Sequence, residues 1–275
     1  SHDAAFWVGF SLHKLDRKQD AVNAYRAALN ISPVAAQTHL YLASALEGLG
    51  EDQHAIEHYE MATTIDPTLA IAFVYLGSLL KEEGELSLAR EKFRQAIDID
   101  PSCVEAYVNL GSAFDMPGEE EDATACYRTA IQCRPDFDKA FWSLGMLLAR
   151  QGRIIEALDL LRDGVQKCKN SPEVKHLIGT LLISQGQEEE GGVFLKEAFS
   201  IDSSFGQKVD GFSLRFDSPE EFWRSLHSTE KSHLGYWKQN PLRKKLASVI
   251  CSIDGVASVL ECGCNVGGNL FAINA

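Results

Sequence analysis

The chain has 275 residues, 45% of them hydrophobic and 24% charged, an ordinary composition for a folded domain or two that excludes collagen-like and low-complexity chains. No apolar run approaches the roughly 18 residues that a bilayer-spanning helix needs, so no membrane partner is expected. The net charge of −13 is uneven: residues 1–205 hold 18 Lys and Arg against 32 Asp and Glu, whereas residues 206–275 hold 8 against 7. An acidic surface repels phosphate backbones, so nucleic acid is excluded for the first part and a neutral or basic partner is favoured. The seven Cys (103, 126, 133, 168, 251, 262 and 264) are scattered and odd in number. With no secretory leader visible, they are expected to be free thiols in a cytoplasmic protein.

Read along the chain, one period dominates. Gly9, Ala43, Gly77, Gly111, Gly145 and Gly179 stand 34 residues apart. Ala21, Ala55, Ala89, Ala123 and Ala157 keep the same interval, as do Ala28, Ala62, Ala96 and Ala130. Tyr25, Tyr59, Phe93 and Tyr127 form an aromatic column, and Pro33, Pro67, Pro101 and Pro135 a proline column. A 34-residue period in several columns predicts an all-α solenoid of two-helix units. The small residues allow antiparallel helices to approach, and the aromatic column is expected to fill space toward the neighbouring unit. Each Pro ends a second helix, because it lacks an N–H and clashes with the preceding turn. Turns such as Glu83-Gly84-Glu85, Pro117-Gly118 and Gln151-Gly152-Arg153 separate the helices of a unit.

Phe73, Leu76, Gly77, Leu80, Ala89, Phe93 and Pro101 resemble the tetratricopeptide (TPR) repeat pattern, and Tyr107, Leu110, Gly111, Phe114, Ala123, Tyr127 and Pro135 repeat it. Six units are expected within 2–205: 2–35, 36–69, 70–103, 104–137, 138–171 and 172–205. The last two drift, with Leu161 and Leu195 in the aromatic column, Gly164 and Gly191 in place of Ala, and Lys169 and Ser203 in place of Pro.

The resemblance implies a concave face lined by the first helix of each unit. Spacing places on it Gln37, Leu40, Tyr41, Ser44 and Glu47 of unit two and Ile71, Val74, Tyr75, Ser78 and Lys81 of unit three. Glu105, Val108, Asn109, Ser112 and Asp115 of unit four follow, then Lys139, Trp142, Ser143, Met146 and Ala149 of unit five. Tyr41, Tyr75, Asn109 and Trp142 are the candidate contacts for a protein or peptide partner, since rings offer large contact area at low entropic cost. The alternative is that these rings pack between units. A clamp for a C-terminal carboxylate would need converging Lys, Arg and Asn, and here Lys139 and Asn109 stand isolated.

His54-Ala55-Ile56-Glu57-His58 matches the H-x-x-E-H signature that in the zinc peptidases it resembles supplies two metal ligands and a base. It lies on the second helix of unit two, where Ala55 is the packing alanine, so it reads as a helix face and no metal site is expected. Glu119 to Asp122 and Glu188 to Glu190 open helices, where the macrodipole favours acid.

The period stops near Ser204. Residues 206–217 read as a linker, and 218–275 as a different kind of segment. Ser218-Pro219-Glu220-Glu221 starts one helix and Asn240-Pro241 another, with Leu242, Leu246, Val249, Ile250 and Ile253 on its apolar face. Val256 to Glu261 reads as a strand, followed by the Gly-rich turn Cys262 to Asn269 and a helix start. Val259 to Gly267 resembles motif I of class I S-adenosylmethionine (SAM)-dependent methyltransferases, with Asn265 where that motif has its middle Gly. The resemblance implies a truncated α/β, Rossmann-like segment in which Glu261, Gly263, Asn265 and Gly267 would hold SAM. The sheet this cofactor needs would lie past Ala275, so the chain is expected to be inactive by itself and part of a longer protein. Two functions follow: a TPR recruitment module fused to an incomplete methyltransferase, or a TPR adaptor without enzymatic activity.

Overall fold

The computed structural model describes residues 1–168 and 170–202, together with the backbone of 208–209 and 212–213. The chain divides into two compact units, Ser1–Arg134 and Pro135–Ala275. The first holds α1 (His2–Lys14), α2 (Lys18–Ile31), α3 (Ala36–Glu47), α4 (Asp52–Ile65), α5 (Ala70–Glu82), α6 (Leu86–Ile99), α7 (Val104–Ala113) and α8 (Glu120–Cys133). The second holds α9 (Asp138–Arg150), α10 (Ile154–Lys167), α11 (Pro172–Ser184) and α12 (Glu188–Ile201). Lys208–Val209 and Phe212–Ser213, in the stretch expected as a linker, pair antiparallel. The α/β segment expected over 218–275, with Glu261, Gly263, Asn265 and Gly267, lies outside the described residues.

Within each unit, helices pack in consecutive pairs, and the second helix of one pair covers the first helix of the next. This is the solenoid arrangement that the 34-residue period predicts. The two helices of each later pair are joined by a turn in which Gly50, Gly84, Gly118, Gly152 or Gly186 has positive φ, the left-handed conformation that lacks a Cβ penalty only for glycine. Asp16 fills the same register place in the first pair at φ 57°, a conformation that Asp tolerates better than most residues.

The proline column acts one residue earlier than the proline itself. α2, α4, α6 and α8 all stop two residues before Pro33, Pro67, Pro101 and Pro135. The residue between, such as Asp66 at φ −128°, ψ 91°, is extended because the proline ring disfavours helix at the preceding position. Asp66 and Asp100 then accept hydrogen bonds from the backbone and hydroxyl of Thr68 and Ser102, which fix the corner.

The aromatic column packs in two directions. Its rings lie mainly on the glycine of their own pair. A Cβ added to Gly77 would fall 2.7 Å from Cε1 of Phe93, and one on Gly111 would fall 2.7 Å from Cε1 of Tyr127. As expected, the rings also reach the next pair, where Tyr25 stacks 6.2 Å from Tyr41 and Tyr59 tilts 5.7 Å from Tyr75. In the second unit Leu161 sits against Gly145 in the same manner. Gly191 faces Gly179 so closely that a Cβ on Gly179 would meet the Gly191 carbonyl oxygen at 2.8 Å. The drift in the last repeats therefore keeps the contact and changes what fills it.

The H-x-x-E-H match is accounted for by packing. His54 pairs with Glu51 at 3.3 Å, whereas His58 Nδ1 lies 3.0 Å from Nδ1 of the buried His39. Nε2 of His39 lies 2.9 Å from the Pro33 carbonyl, which can only accept, so this nitrogen carries the proton. His39 Nδ1 is then the acceptor, and His58 Nδ1–H donates to it. With neutral rings this bond ties α3, α4 and the α2–α3 corner together. Burial, then His39 and Arg26, lower the His58 pKa below its ordinary 6.5, with His54 acting in the same direction and Glu57 opposing. A depressed imidazole pKa means the unfolded chain binds more protons, so this contribution is complete above pH 6.5 and is lost as pH falls. We expect urea midpoints to fall between pH 7 and 5.5, and the fall to be shallower in His58→Gln, whose amide can still donate to His39. Identical slopes would refute the assignment.

Candidate functional site

Three first helices, α1, α3 and α5, converge on a pocket of about 260 Å³ lined by Phe10, His13, Lys14, Leu40, Tyr41, Ser44, Ile71 and Tyr75. Each side chain is placed by the same register. Tyr41 and Tyr75 occupy the same position of consecutive pairs, one 34-residue step apart, and Trp7 precedes them by another step. Trp7 is 59% exposed and Tyr75 39%. Their neighbours in the preceding register position, Phe6, Leu40 and Val74, are buried between helices. The groove is therefore an open row of rings standing on a closed apolar floor.

The rings hold one another. Phe10 meets Trp7 at 5.5 Å and Tyr41 at 5.4 Å, both edge-on, with the latter pair at 89° between planes. Such geometry sets the positive ring edge against the negative face. Burial raises the Tyr75 phenol, and the nearby Glu47 carboxylate adds to the shift, so its hydroxyl keeps its proton. Glu47 itself accepts from Tyr59 Oη at 2.8 Å, and burial raises its pKa too. His13 is held below the usual imidazole range by burial and by Lys14 and Lys18. The pocket thus offers apolar ring faces, hydroxyls and a cationic end.

The four expected contact residues fare differently. Tyr41 and Tyr75 are brought together in this pocket. Asn109 lies on α7, and its amide donates to Ser78 Oγ at 3.2 Å, while Ser78 donates to the Val74 carbonyl. Lys81 donates to Ser112 Oγ at 3.0 Å beside it. These bonds stitch α5 to α7, so Asn109 joins helices here. Trp142 is half-buried on α9 of the second unit. Its register place is that of Leu40, Val74 and Val108, the floor position, and not that of Tyr41 and Tyr75.

Sequence reasoning missed Phe10, His13 and Lys14. The concave stripe was read from unit two onward, and the same spacing carried back by 34 residues from Ser44 and Glu47 gives Phe10 and His13 directly. Among the described residues no group of three or more His, Cys, Asp or Glu side chains could hold a metal ion, and no helix is long and apolar enough to cross a membrane. Cys103, Cys126, Cys133 and Cys168 are free thiols, and burial pushes Cys126 and Cys168 up to about 11.

Known proteins bear out the repeat. A family model described as TPR repeat matches residues 77–116, and one described as tetratricopeptide repeat matches 11–70 and 118–172. No curated protein matches the chain. Among solved structures it is similar to PilF of Pseudomonas aeruginosa, with 18% identity over 75% of this chain and 97% of that one and a TM-score of 0.61. It is also similar to PilW, a type IV pilus biogenesis factor, with 16% identity over 74% and 94% and a TM-score of 0.63. A tetratricopeptide repeat protein from Parabacteroides merdae shares 17% identity over 73% and 78%, with a TM-score of 0.60. At these identities the likeness is one of fold. The helix pairs, the register of small and aromatic residues and the matched models agree that this chain is a tetratricopeptide-repeat protein.

Proposed function

We propose that the chain is an adaptor that holds a segment of a protein partner in the groove formed by its first three helix pairs. The observation that carries this reading is the row of exposed Trp7 and Tyr75 with half-buried Tyr41 between them, on a floor of buried side chains. Exposed rings held rigidly by their neighbours are the side chains that dominate binding energy at protein interfaces. Trp142, on the second unit and in the floor register, is not part of this row. PilW, named as a pilus biogenesis factor, shows the same fold within an assembly process, which suits an adaptor and assigns no partner. A cytoplasmic location is part of the proposal.

Peptides selected from a random display library against the intact chain test it. Tyr41→Ala/Tyr75→Ala is expected to weaken their binding at least about 30-fold, the effect of losing a hot-spot pair, with helicity by circular dichroism unchanged. Unchanged affinity would overturn the groove reading. Lost helicity would mean that the rings serve packing.

A second reading rests on the run Val259 to Gly267. There Glu261, Gly263, Asn265 and Gly267 would hold SAM, and the repeats would deliver a substrate to a methyltransferase. Calorimetric titration of SAM into the protein at its natural length decides it, and absence of binding would leave the adaptor alone.

A further inference from the structure

We infer that the pocket at the start of the groove is a subsite for an aromatic or branched apolar side chain flanked by a carboxylate, and that Lys14 pairs with that carboxylate. This rests on the groove reading above and adds to it the chemistry of the occupant.

Size comes first. At about 260 Å³ the pocket falls below the roughly 300–1,000 Å³ of small-molecule sites, yet it exceeds several times the roughly 30 Å³ of a water molecule. It suits one large side chain. Its walls specify which kind. Phe10 and Tyr41 form an edge-to-face corner, and Leu40, Ile71 and Tyr75 close it with apolar surface. Ser44, the Tyr hydroxyls and His13 line the rest, so it is the ring corner that selects an apolar side chain, with polar partners beside it.

Charge specifies the flank. Lys14 Nζ stands 5.4 Å above the centroid of the Phe10 ring, at the mouth of the pocket. Among the described residues it makes no ion pair. Its neighbour Lys18 is engaged, with Asp16 at 3.5 Å and the Gly48 carbonyl at 3.0 Å. Asp16 is paired with Lys18, whereas Glu47, which accepts from the Tyr59 hydroxyl, and Glu105 act on Tyr75 at its side of the pocket. His13, on the same turn of α1, adds a ring nitrogen and no negative charge. On a strongly acidic chain, Lys14 is a cation beside the ring corner that pairs with none of those acids. A basic flank would face Lys14 across the ring, whereas a carboxylate would complete it. The overall acidity that favours neutral or basic partners acts at long range and is screened within about 8 Å at physiological salt, so it does not decide this contact.

The carboxylate can belong to an Asp or Glu side chain or to a chain end, and three short peptides separate the sources. Gly-Ser-Gly-Phe-Glu-Gly-Ser amide carries it internally, Gly-Ser-Gly-Phe free acid carries it at the end, and Gly-Ser-Gly-Phe-Gln-Gly-Ser amide has none. Each is titrated into the intact ¹⁵N-labelled chain, and amide shifts of residues around Phe10, Tyr41 and Tyr75 give Kd. At least one acidic peptide is expected to bind about five-fold more tightly than the neutral one, the range of a partly exposed ion pair. The preference should shrink in 0.5 M salt, by the roughly 4–5 Å Debye length there, and vanish in Lys14→Gln with neutral-peptide binding retained. Equal binding of all three, with shifts in the groove, would overturn the subsite and leave the groove standing. A preference that survives Lys14→Gln would also overturn it. No shifts from any peptide at millimolar concentration would refute the subsite, while the library-selected peptides judge the groove separately.

Discussion

Phe93→Ala is expected to cost about 4 kcal/mol, the range for emptying a fully buried aromatic site, and to be partly rescued by Gly77→Ala. Phe93 has no exposed surface, and its ring lies where a Cβ on Gly77 would fall 2.7 Å from Cε1 and 2.9 Å from Cδ1. With the ring present, Gly77→Ala alone must push it aside, which costs about 1–3 kcal/mol by overpacking, offset in part by about 1 kcal/mol of helix propensity. With the ring gone, the new methyl enters the vacated space, so the double variant should be more stable than Phe93→Ala. A coupling of at least about 1 kcal/mol is expected for two groups in direct contact. Urea unfolding of the four chains measures it, and additivity would mean that the two side chains do not share one space. The loss also reaches the groove, because Gly77 and Tyr75 sit two residues apart on α5.

That coupling explains why so much of the fold was legible. A small residue in the first helix and a large one in the second recur together, and each copy satisfies the same contact. The pairs Gly9 with Tyr25 and Gly145 with Leu161 differ in chemistry and share geometry. The contact of the rings with the small residue of their own pair was not legible, since a period of 34 gives a column and not every neighbour it faces. Tyr41 and Tyr75 could be placed on the groove because a register position fixes a face. Asn109 could be placed there too, but not its bond to Ser78, which depends on a rotamer and a helix separation. Phe10 and His13 were legible by the same rule at unit one. Lys14, one position outside the stripe, was not. Its place at the pocket mouth comes from the side chain folding back over the Phe10 ring.

The groove and the scaffold draw on different residues, which makes function separable from stability. Residues in the columns are buried and repeat. The exposed residues of the row, Trp7 and Tyr75, differ in chemistry and can change without emptying the core. A solenoid whose pairs touch only their neighbours spreads its stability, so a damaged pair weakens the surface nearest to it.

Arg90→Ala is the second large effect, expected at about 2–3 kcal/mol after discounting for the part-exposed carboxylate partner. Arg90 stands at a register position where Val22, Ile56 and Leu158 are buried apolar side chains. That break in a column is the sequence signal for a special contact. α7 is the shortest helix of the first unit, ten residues ending at Ala113, ahead of the turn that carries Pro117. Its terminal carbonyls lack intrahelical partners. Nε and Nη2 of Arg90 donate to the Ala113 carbonyl at 3.1 and 2.7 Å, and Nη1 donates to Glu119 Oε1 at 2.8 Å. Nη2 also reaches Glu119 Oε2. The guanidinium carbon lies 4.4 Å from the centroid of Phe114, so one side chain caps α7, holds the start of α8 and covers the ring between them. Arg90→Lys keeps the charge and loses the fork, so it should recover less than half of the loss. Arg90→Met keeps the stem and fits the apolar column, but leaves Ala113 and Glu119 without their donor. If Lys restored full stability in urea unfolding, charge alone would suffice; if Met did, the site would be apolar packing. The expected order is Arg above Lys and Met, with Ala lowest.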